Sequence, residues 1–78
     1  MIPSEIVIVA EADRERLAAE IWCLGELWCI LSQETGDLVL EVYPHSSGDP
    51  WRVPYWEAMQ LFVRAAARLA SKERGAGP

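Results

Sequence analysis

The segment from Tyr43 to Trp56 divides the chain into two parts with different hydrophobic patterns. It holds three of the five prolines, the only histidine and both tyrosines. Proline has no backbone N–H to donate to a sheet, yet it is well tolerated in the first turn of a helix. The chain before this segment has the pattern of short strands, and the chain after it has the pattern of one helix. The segment therefore predicts a joint between a sheet and a helix.

The part before the joint contains four short apolar runs. Ile6 to Val9 is β-branched throughout, which favours an extended strand. Thr35-Gly36 is a good two-residue turn between the last two runs. These patterns predict β-strands near residues 5–10, 16–23, 26–33 and 37–43.

Pairing across the Thr35-Gly36 turn places Leu31 opposite Leu40 and predicts the two faces of the sheet. The predicted core face carries Leu27, Cys29, Leu31, Leu38, Leu40 and Val42. The other face carries Trp28, Ile30, Ser32, Val39, Glu41 and Tyr43. One helix covers only one face of such a sheet, so the second face is predicted to need a partner, a second subunit or a further element.

Residues 17–31 fit two patterns. Leucine, isoleucine and tryptophan recur in this window at helical spacing, which is typical of one face of a helix. However, Gly25 lies between two β-rich runs, where it marks a hairpin turn, and in mid-helix it would cost roughly 1 kcal/mol against alanine. We favour the hairpin. The alternative is a first helix over Asp13–Leu24, which would give a β-α-β-β-α order.

The part after the joint predicts a helix near residues 54–72. Its predicted buried stripe consists of Ala58, Leu61, Phe62, Ala65 and Leu69, widened by Met59, Val63 and Ala66. The sequence thus predicts an α+β fold, in which a four-stranded antiparallel meander carries one C-terminal helix on one face. Residues 1–72 are expected to form this single domain, and residues 73–78 a disordered C-terminal tail.

Charge narrows the classes of partner. The chain has 78 residues and a net charge of −5, with ten of its twelve acidic residues before Trp51. An acidic chain repels phosphates, so we expect no nucleic-acid partner. The sequence has no run near the ~20 apolar residues of a membrane span, and no signal peptide. We therefore expect a soluble, cytoplasmic protein with no membrane partner.

The cysteine, histidine and serine side chains of the sequence form no catalytic or metal-binding motif. Cys23 and Cys29 are too few for a disulfide framework and, even with the one histidine, fall short of a zinc site. We expect two buried or half-buried free thiols. His45 lies in one loop with two serines and Asp49, whereas a catalytic triad brings its members from separate rigid elements. This group is interpreted as turn chemistry, and we expect neither an enzyme nor a cofactor.

The four tryptophans exceed what a minimal core of this size requires. Tryptophan is enriched in interface hot spots. Trp51 is expected to pack over one end of the helix–sheet sandwich and to tether the loop. Trp28 is expected to be exposed, because strict alternation places it on the face opposite the leucines. The predicted partner-binding residues are Trp28, Ile30, Val39, Glu41 and Tyr43.

Several short motifs also resemble those of known chains. They are Glu-Ile-x-x-x-Gly-Glu at 20–26, Ser-Gln-Glu-x-Gly at 32–36, Leu-Glu-Val-Tyr-Pro at 40–44 and Gly-Asp-Pro-Trp at 48–51. Followed by a helix rich in alanine, leucine and arginine, they resemble small uncharacterised bacterial proteins, some of which are similar to immunity proteins that neutralise toxins. The resemblance favours the hairpin for residues 18–32 and implies no functional residue.

The sequence as a whole predicts a small non-catalytic protein-binding module of immunity, antitoxin or inhibitor type. Its acidic, aromatic sheet face would bind another protein with a basic surface. The alternative is a homo-oligomeric structural module, in which the uncovered face or an edge strand pairs with a second copy as a homodimer. A small enzyme or ligand-binding domain is the third hypothesis.

Overall fold

A computed structural model describes residues 2–11, 16–34 and 36–75. The elements are β1 (Ser4–Glu11), β2 (Arg16–Cys23), β3 (Glu26–Glu34), β4 (Asp37–Val42) and α1 (Tyr55–Gly75). The strands form one antiparallel sheet in the order β1-β2-β3-β4. The α+β meander with one C-terminal helix is confirmed, and the β-α-β-β-α alternative is wrong.

The turn between β2 and β3 explains why residues 17–31 form a hairpin. Leu24 and Gly25 have φ values of 54° and 77°. Two successive residues with positive φ make the hairpin turn that matches the twist of the flanking strands. The helical spacing of the apolar residues in this window is therefore incidental.

A β-bulge interrupts the pairing of β2 with β3. Ile21 pairs with Cys29, but the next residue, Trp22, pairs with Leu27. Trp28 is thus the extra residue of β3, and two residues of β3 oppose one of β2. Strict alternation, on which the predicted faces depend, fails at this point.

The bulge turns Trp28 towards the helix. Trp28 lies on the same side as its neighbour Cys29, is only 8% exposed and stacks on Phe62 with 5.3 Å between ring centroids. The prediction that Trp28 is exposed on the open face is wrong. Leu27 also changes sides, because its partner is now Trp22, and it leaves the predicted core face.

Helix α1 packs on β1, β2 and β3, most extensively on β2, and within the described residues no Cα atom of α1 comes within 8 Å of a Cα atom of β4. Met59 and Val63, which were predicted to widen the buried stripe, are exposed, and that part of the prediction is wrong. The α1 residues Leu61, Ala65 and Leu69 are buried, as predicted. They meet the helix-facing side of the sheet. The buried residues of that side are Ile6, Ala19, Ile21, Cys23, Trp28, Cys29 and Leu31.

Strand β4 departs from the predicted core. The register pairs Leu31 with Leu40 as predicted, so Leu38, Leu40 and Val42 lie on the helix side of the sheet. They are nevertheless 40–60% exposed, and their predicted burial is wrong. A helix with its side chains is about 10–12 Å across, and strands lie about 4.8 Å apart, so a helix centred on β2 does not reach β4.

The helix is fixed to the β1 side by polar contacts. The Arg68 guanidinium donates to the Ile6 carbonyl (Nη1···O 2.7 Å), and the Ile2 N–H donates to the Glu57 carboxylate (N···Oε1 2.9 Å). Helix α1 continues to Gly75, so the predicted tail begins too early, and residues 76–78 lie outside the described part. No described helix is both long and apolar enough to cross a membrane.

Candidate functional site: the acidic face of the sheet

The sheet face opposite α1, here called the acidic face, has an apolar centre between two carboxylates. Glu20 of β2, Ile30 of β3 and Glu41 of β4 are successive partners in the register, so they form one row across three strands. Neighbouring strands lie about 4.8 Å apart, which puts Glu20 and Glu41 about 10 Å from each other on either side of Ile30.

Each of these carboxylates is held by an aromatic side chain of its own strand. The Trp22 indole N–H donates to Glu20 (Nε1···Oε1 3.1 Å), and the Tyr43 hydroxyl donates to Glu41 (Oη···Oε2 3.2 Å). The members of each pair are two residues apart and therefore project from the same side of the sheet. Two oriented aromatic–carboxylate pairs thus flank Ile30.

The rest of the acidic face is apolar with further carboxylates. By the register, its other described side chains include Val7, Val9, Leu27, Val39, Glu5, Glu34, Asp37 and Arg16. Five carboxylates are therefore accompanied by one guanidinium among the side chains described on this face. Arg16 itself donates to the Gln33 carbonyl. The acidic face has a negative potential, whereas Arg64, Arg68 and Lys72 lie on α1.

The predicted binding residues are only partly brought together here. Ile30, Val39, Glu41 and Tyr43 share the acidic face and are half-buried. Trp28 does not, because the bulge directs it into the core. The prediction missed Glu20 and Trp22. The spacing of two between them was a usable signal, but the register that links them to Ile30 required the position of the bulge.

The joint contains an arrangement that superficially resembles a catalytic triad. Ser47 Oγ lies 2.8 Å from His45 Nδ1, and His45 Nε2 lies 3.3 Å from Glu26 Oε2. A hydrolytic site also needs N–H donors aimed at a developing oxyanion.

The backbone N–H groups of residues 46–49 are already used. Those of Ser46 and Ser47 donate to Glu26 Oε1 and His45 Nδ1, both at 3.1 Å. Those of Gly48 and Asp49 donate to the His45 carbonyl and to Ser47 Oγ, at 3.0 and 3.2 Å. The cluster closes the turn, which supports its interpretation as turn chemistry.

Trp51 fastens this joint to the core. Its indole N–H donates to the Tyr43 carbonyl (Nε1···O 3.0 Å). Its ring meets His45 edge-on at 4.6 Å and Trp28 at 6.2 Å between centroids. The predicted tethering by Trp51 is confirmed. The rings of His45, Trp51, Trp28 and Phe62 contact one another in this order, and we call this set the aromatic column.

The two cysteines are buried free thiols, as predicted. Burial, followed by the neighbouring Cys23, raises the pKa of Cys29 to about 12. Burial, followed by the charge of Glu57, also raises the pKa of Cys23. A thiol with a raised pKa is a poor nucleophile and a poor metal ligand at neutral pH. No group of three or more metal-ligating side chains occurs among residues 2–11, 16–34 and 36–75.

Comparison of the chain with protein-family models, with curated proteins and with solved structures found no match. The resemblance to immunity-type proteins therefore stays a prediction.

Proposed function

We propose that this chain is a non-catalytic protein-binding module of the immunity, antitoxin or inhibitor type. It binds a basic surface of another protein through the acidic face and thereby occludes that surface. The observation that carries the proposal is the pair of oriented aromatic–carboxylate contacts around Ile30, on a sheet face that no helix of the described residues covers.

Lysine and arginine side chains fit this centre chemically. Each has an apolar stem and a cationic head. The stem packs on Ile30, and the head reaches Glu20 or Glu41 on either side. The faces of Trp22 and Tyr43 add a cation–π attraction of about 0.5–2 kcal/mol. Because both carboxylates are already oriented by their aromatic neighbours, less side-chain entropy is lost on binding.

The charge of the face also selects the class of partner and the rate of encounter. The five carboxylates and one arginine among the described side chains of this face repel the phosphates of nucleic acids and attract basic protein surfaces. Electrostatic steering of this kind raises association rates and is weakened by salt. We therefore expect binding that weakens steeply between low and physiological ionic strength.

Removal of the two central charges tests the proposal. The variant Glu20→Gln/Glu41→Gln is compared with Ala67→Lys/Ser71→Lys, which changes the net charge equally on the exposed surface of α1. The probe is a ten-residue peptide of lysine and arginine, followed by two-dimensional NMR of the labelled protein. We expect the wild type to show amide shift changes around Glu20, Ile30 and Glu41. The glutamine variant should bind at least tenfold more weakly, and the lysine variant should lose much less.

Two results would contradict the proposal. Shift changes spread evenly over all acidic residues would indicate binding by net charge alone. Equal losses in the two variants would lead to the same conclusion, since only the distribution of charge differs between them.

A homo-oligomeric module remains the second candidate function. It is favoured by a different observation, which concerns the opposite side of the sheet. Most of the large exposed hydrophobic side chains lie there, on β4 and α1.

A further inference from the structure

The largest exposed hydrophobic side chains of the described residues lie away from the acidic face. They are Leu38, Leu40 and Val42 on β4, and Tyr55, Trp56, Met59 and Val63 on α1, together with Leu24 in the hairpin turn. The first seven occupy the helix side of the molecule. Their concentration there is typical of an interaction surface.

These residues form two surfaces of different shape. The β4 row consists of Leu38, Leu40 and Val42, which lie beside α1 but are not covered by it. The α1 ridge consists of Trp56, Met59 and Val63, which project from the helix away from its buried stripe. Trp56 is the most exposed, at 74%.

The row and the ridge match in length and in chemistry. The row runs about 13 Å along the strand, and the ridge runs about 10 Å along the helix axis. The six residues of the row and the ridge are apolar, and Gln60 and Arg64 border the ridge. Depletion of charge is what distinguishes the centre of a protein interface from other surfaces.

We propose that the row and the ridge are the interface of a homodimer, in which the α1 ridge of each copy packs on the β4 row of the other. In a dimer with a twofold axis, the ridge of each copy contacts the row of the other. Both surfaces of both copies are then covered, so the assembly closes at two copies. The two helices then lie side by side between the two sheets.

The exposed area is close to what such a dimer needs. With about 150–250 Å² for a whole aromatic side chain and less for an aliphatic one, the exposed parts of the row, the ridge and Tyr55, whose ring lies against Trp56, amount to on the order of 600 Å². A standard interface buries about 800 Å² per partner.

Edge-to-edge pairing of two β4 strands is a less complete solution. It would join two sheets with both helices over β2 and its symmetry mate, five strand spacings or about 24 Å apart. Packed helices lie 8–10 Å apart, so the helices would not meet. Trp56, Met59 and Val63 would stay in water, whereas packing of ridge on row covers them.

The dimer deepens the second candidate function and is independent of the first, because the acidic face takes no part in the dimer interface. In the dimer the two acidic faces point outwards on opposite sides. The assembly would therefore present two copies of the proposed binding site. A variant of the acidic face can lose peptide binding and remain a dimer, and a variant of the ridge can become a monomer and still bind the peptide.

Light scattering after size exclusion tests the dimer over a range of protein concentrations. We expect the wild type to be a dimer at micromolar concentration and Val63→Asp to be a monomer that retains its circular dichroism spectrum. Leu40→Asp should have the same effect from the other surface. Leu24→Asp is the matched control, since Leu24 is equally exposed but lies outside both surfaces, and it should remain a dimer.

Cross-linking distinguishes the two modes of pairing. Leu40→Cys and Val63→Cys proteins are mixed and treated with a short bismaleimide, while the native thiols are protected by burial. We expect cross-links between the two variants and few within Leu40→Cys alone, because the helix layer separates the two β4 strands. Efficient cross-linking of Leu40→Cys alone would establish edge pairing and overturn the proposal. A wild type that is monomeric at 100 µM would also overturn it.

Discussion

The two edge strands of the sheet, β1 and β4, both direct backbone groups outwards, but they differ in what α1 contributes to each edge. At β1, the Ile6 carbonyl accepts a hydrogen bond from Arg68, and the nearby Ile2 N–H is bound by Glu57. Helix α1 thus closes this edge with its own polar side chains. At β4, by contrast, no described Cα atom of α1 comes within 8 Å, and Leu38, Leu40 and Val42 stay 40–60% exposed.

The backbone direction makes the contrast informative. The Tyr43 N–H donates to the Trp28 carbonyl, so alternation along β4 directs the N–H and C=O groups of Leu38, Leu40 and Val42 away from the sheet. The Leu24 N–H donates to the Pro3 carbonyl, which likewise places the Ile6 carbonyl outward on β1. An open apolar edge is a risk of aggregation unless a partner covers it. The comparison therefore supports the proposal that the chain associates through its β4 side.

The largest expected effect tests whether the aromatic column stabilises the β4 side of the fold. Trp28 joins Phe62 of α1 to Trp51 of the joint, and it is buried. Trp28→Ala should lower the free energy of unfolding by about 3–5 kcal/mol. Urea unfolding measures this loss, and Trp28→Phe, which keeps an aromatic ring, should lose less. This outcome differs from the sequence-based expectation, in which Trp28 contributes to binding and little to stability.

Trp56→Ala is the matched control for this prediction. Both tryptophans are compared in the Val63→Asp background, so that association does not contribute to the measured stability. The loss for Trp56 should be within about 0.5 kcal/mol, because its side chain is exposed. Similar losses for the two tryptophans would mean that the β4 side is not supported through the aromatic column.

A smaller effect tests the closed edge. Arg68→Met keeps the apolar stem but removes the hydrogen bond to the Ile6 carbonyl. A hydrogen bond from a charged donor contributes about 1.5–3 kcal/mol, and partial exposure of Arg68 places the expected loss of stability at about 1 kcal/mol. Arg64→Met, one turn earlier on the same helix, is the control for urea unfolding. If the two variants are equally stable, then the hydrogen bond from Arg68 does not stabilise the β1 edge. The exposed row on β4 would then be the difference between the two edges that remains.

Much of this fold follows from local signals in the sequence. The turn at Gly25, the β-branched run in β1 and the prolines of the joint locate the strands and the helix to within a few residues. These features act through short-range backbone preferences, which a single sequence displays directly. The register of β3 with β4 followed from the turn at Gly36 in the same way.

Two features depended on tertiary structure instead. The bulge at Trp28 is one extra residue, and no local pattern requires it. It reversed the side of Trp28 and concealed the relation of Trp22 and Glu20 to Ile30. The position of α1 over β2 is decided by side-chain packing across the sheet, and it left the β4 row uncovered. Four of the five predicted binding residues thus share the acidic face, whereas Trp28 lies in the core.

The smallest expected effect concerns the joint that follows β4. Hydrogen bonds from the Ser46 hydroxyl and then from its backbone N–H hold the pKa of Glu26 below its ordinary value, and His45 adds to this lowering. A carboxyl whose pKa is lowered in the folded state stabilises that state above the ordinary glutamate pKa. This contribution is lost as the pH falls through the folded-state pKa.

Glu26→Gln should therefore make the Ser46 amide exchange faster at neutral pH, and the difference from the wild type should diminish below the ordinary glutamate pKa. Hydrogen exchange followed by NMR over a pH series measures both, with Glu5→Gln on β1 as the control. A difference that persists unchanged at low pH would mean that Glu26 shapes the joint without its charge. In that case the hydrogen bond from Trp51 to the Tyr43 carbonyl, rather than the charge of Glu26, holds the chain that follows β4.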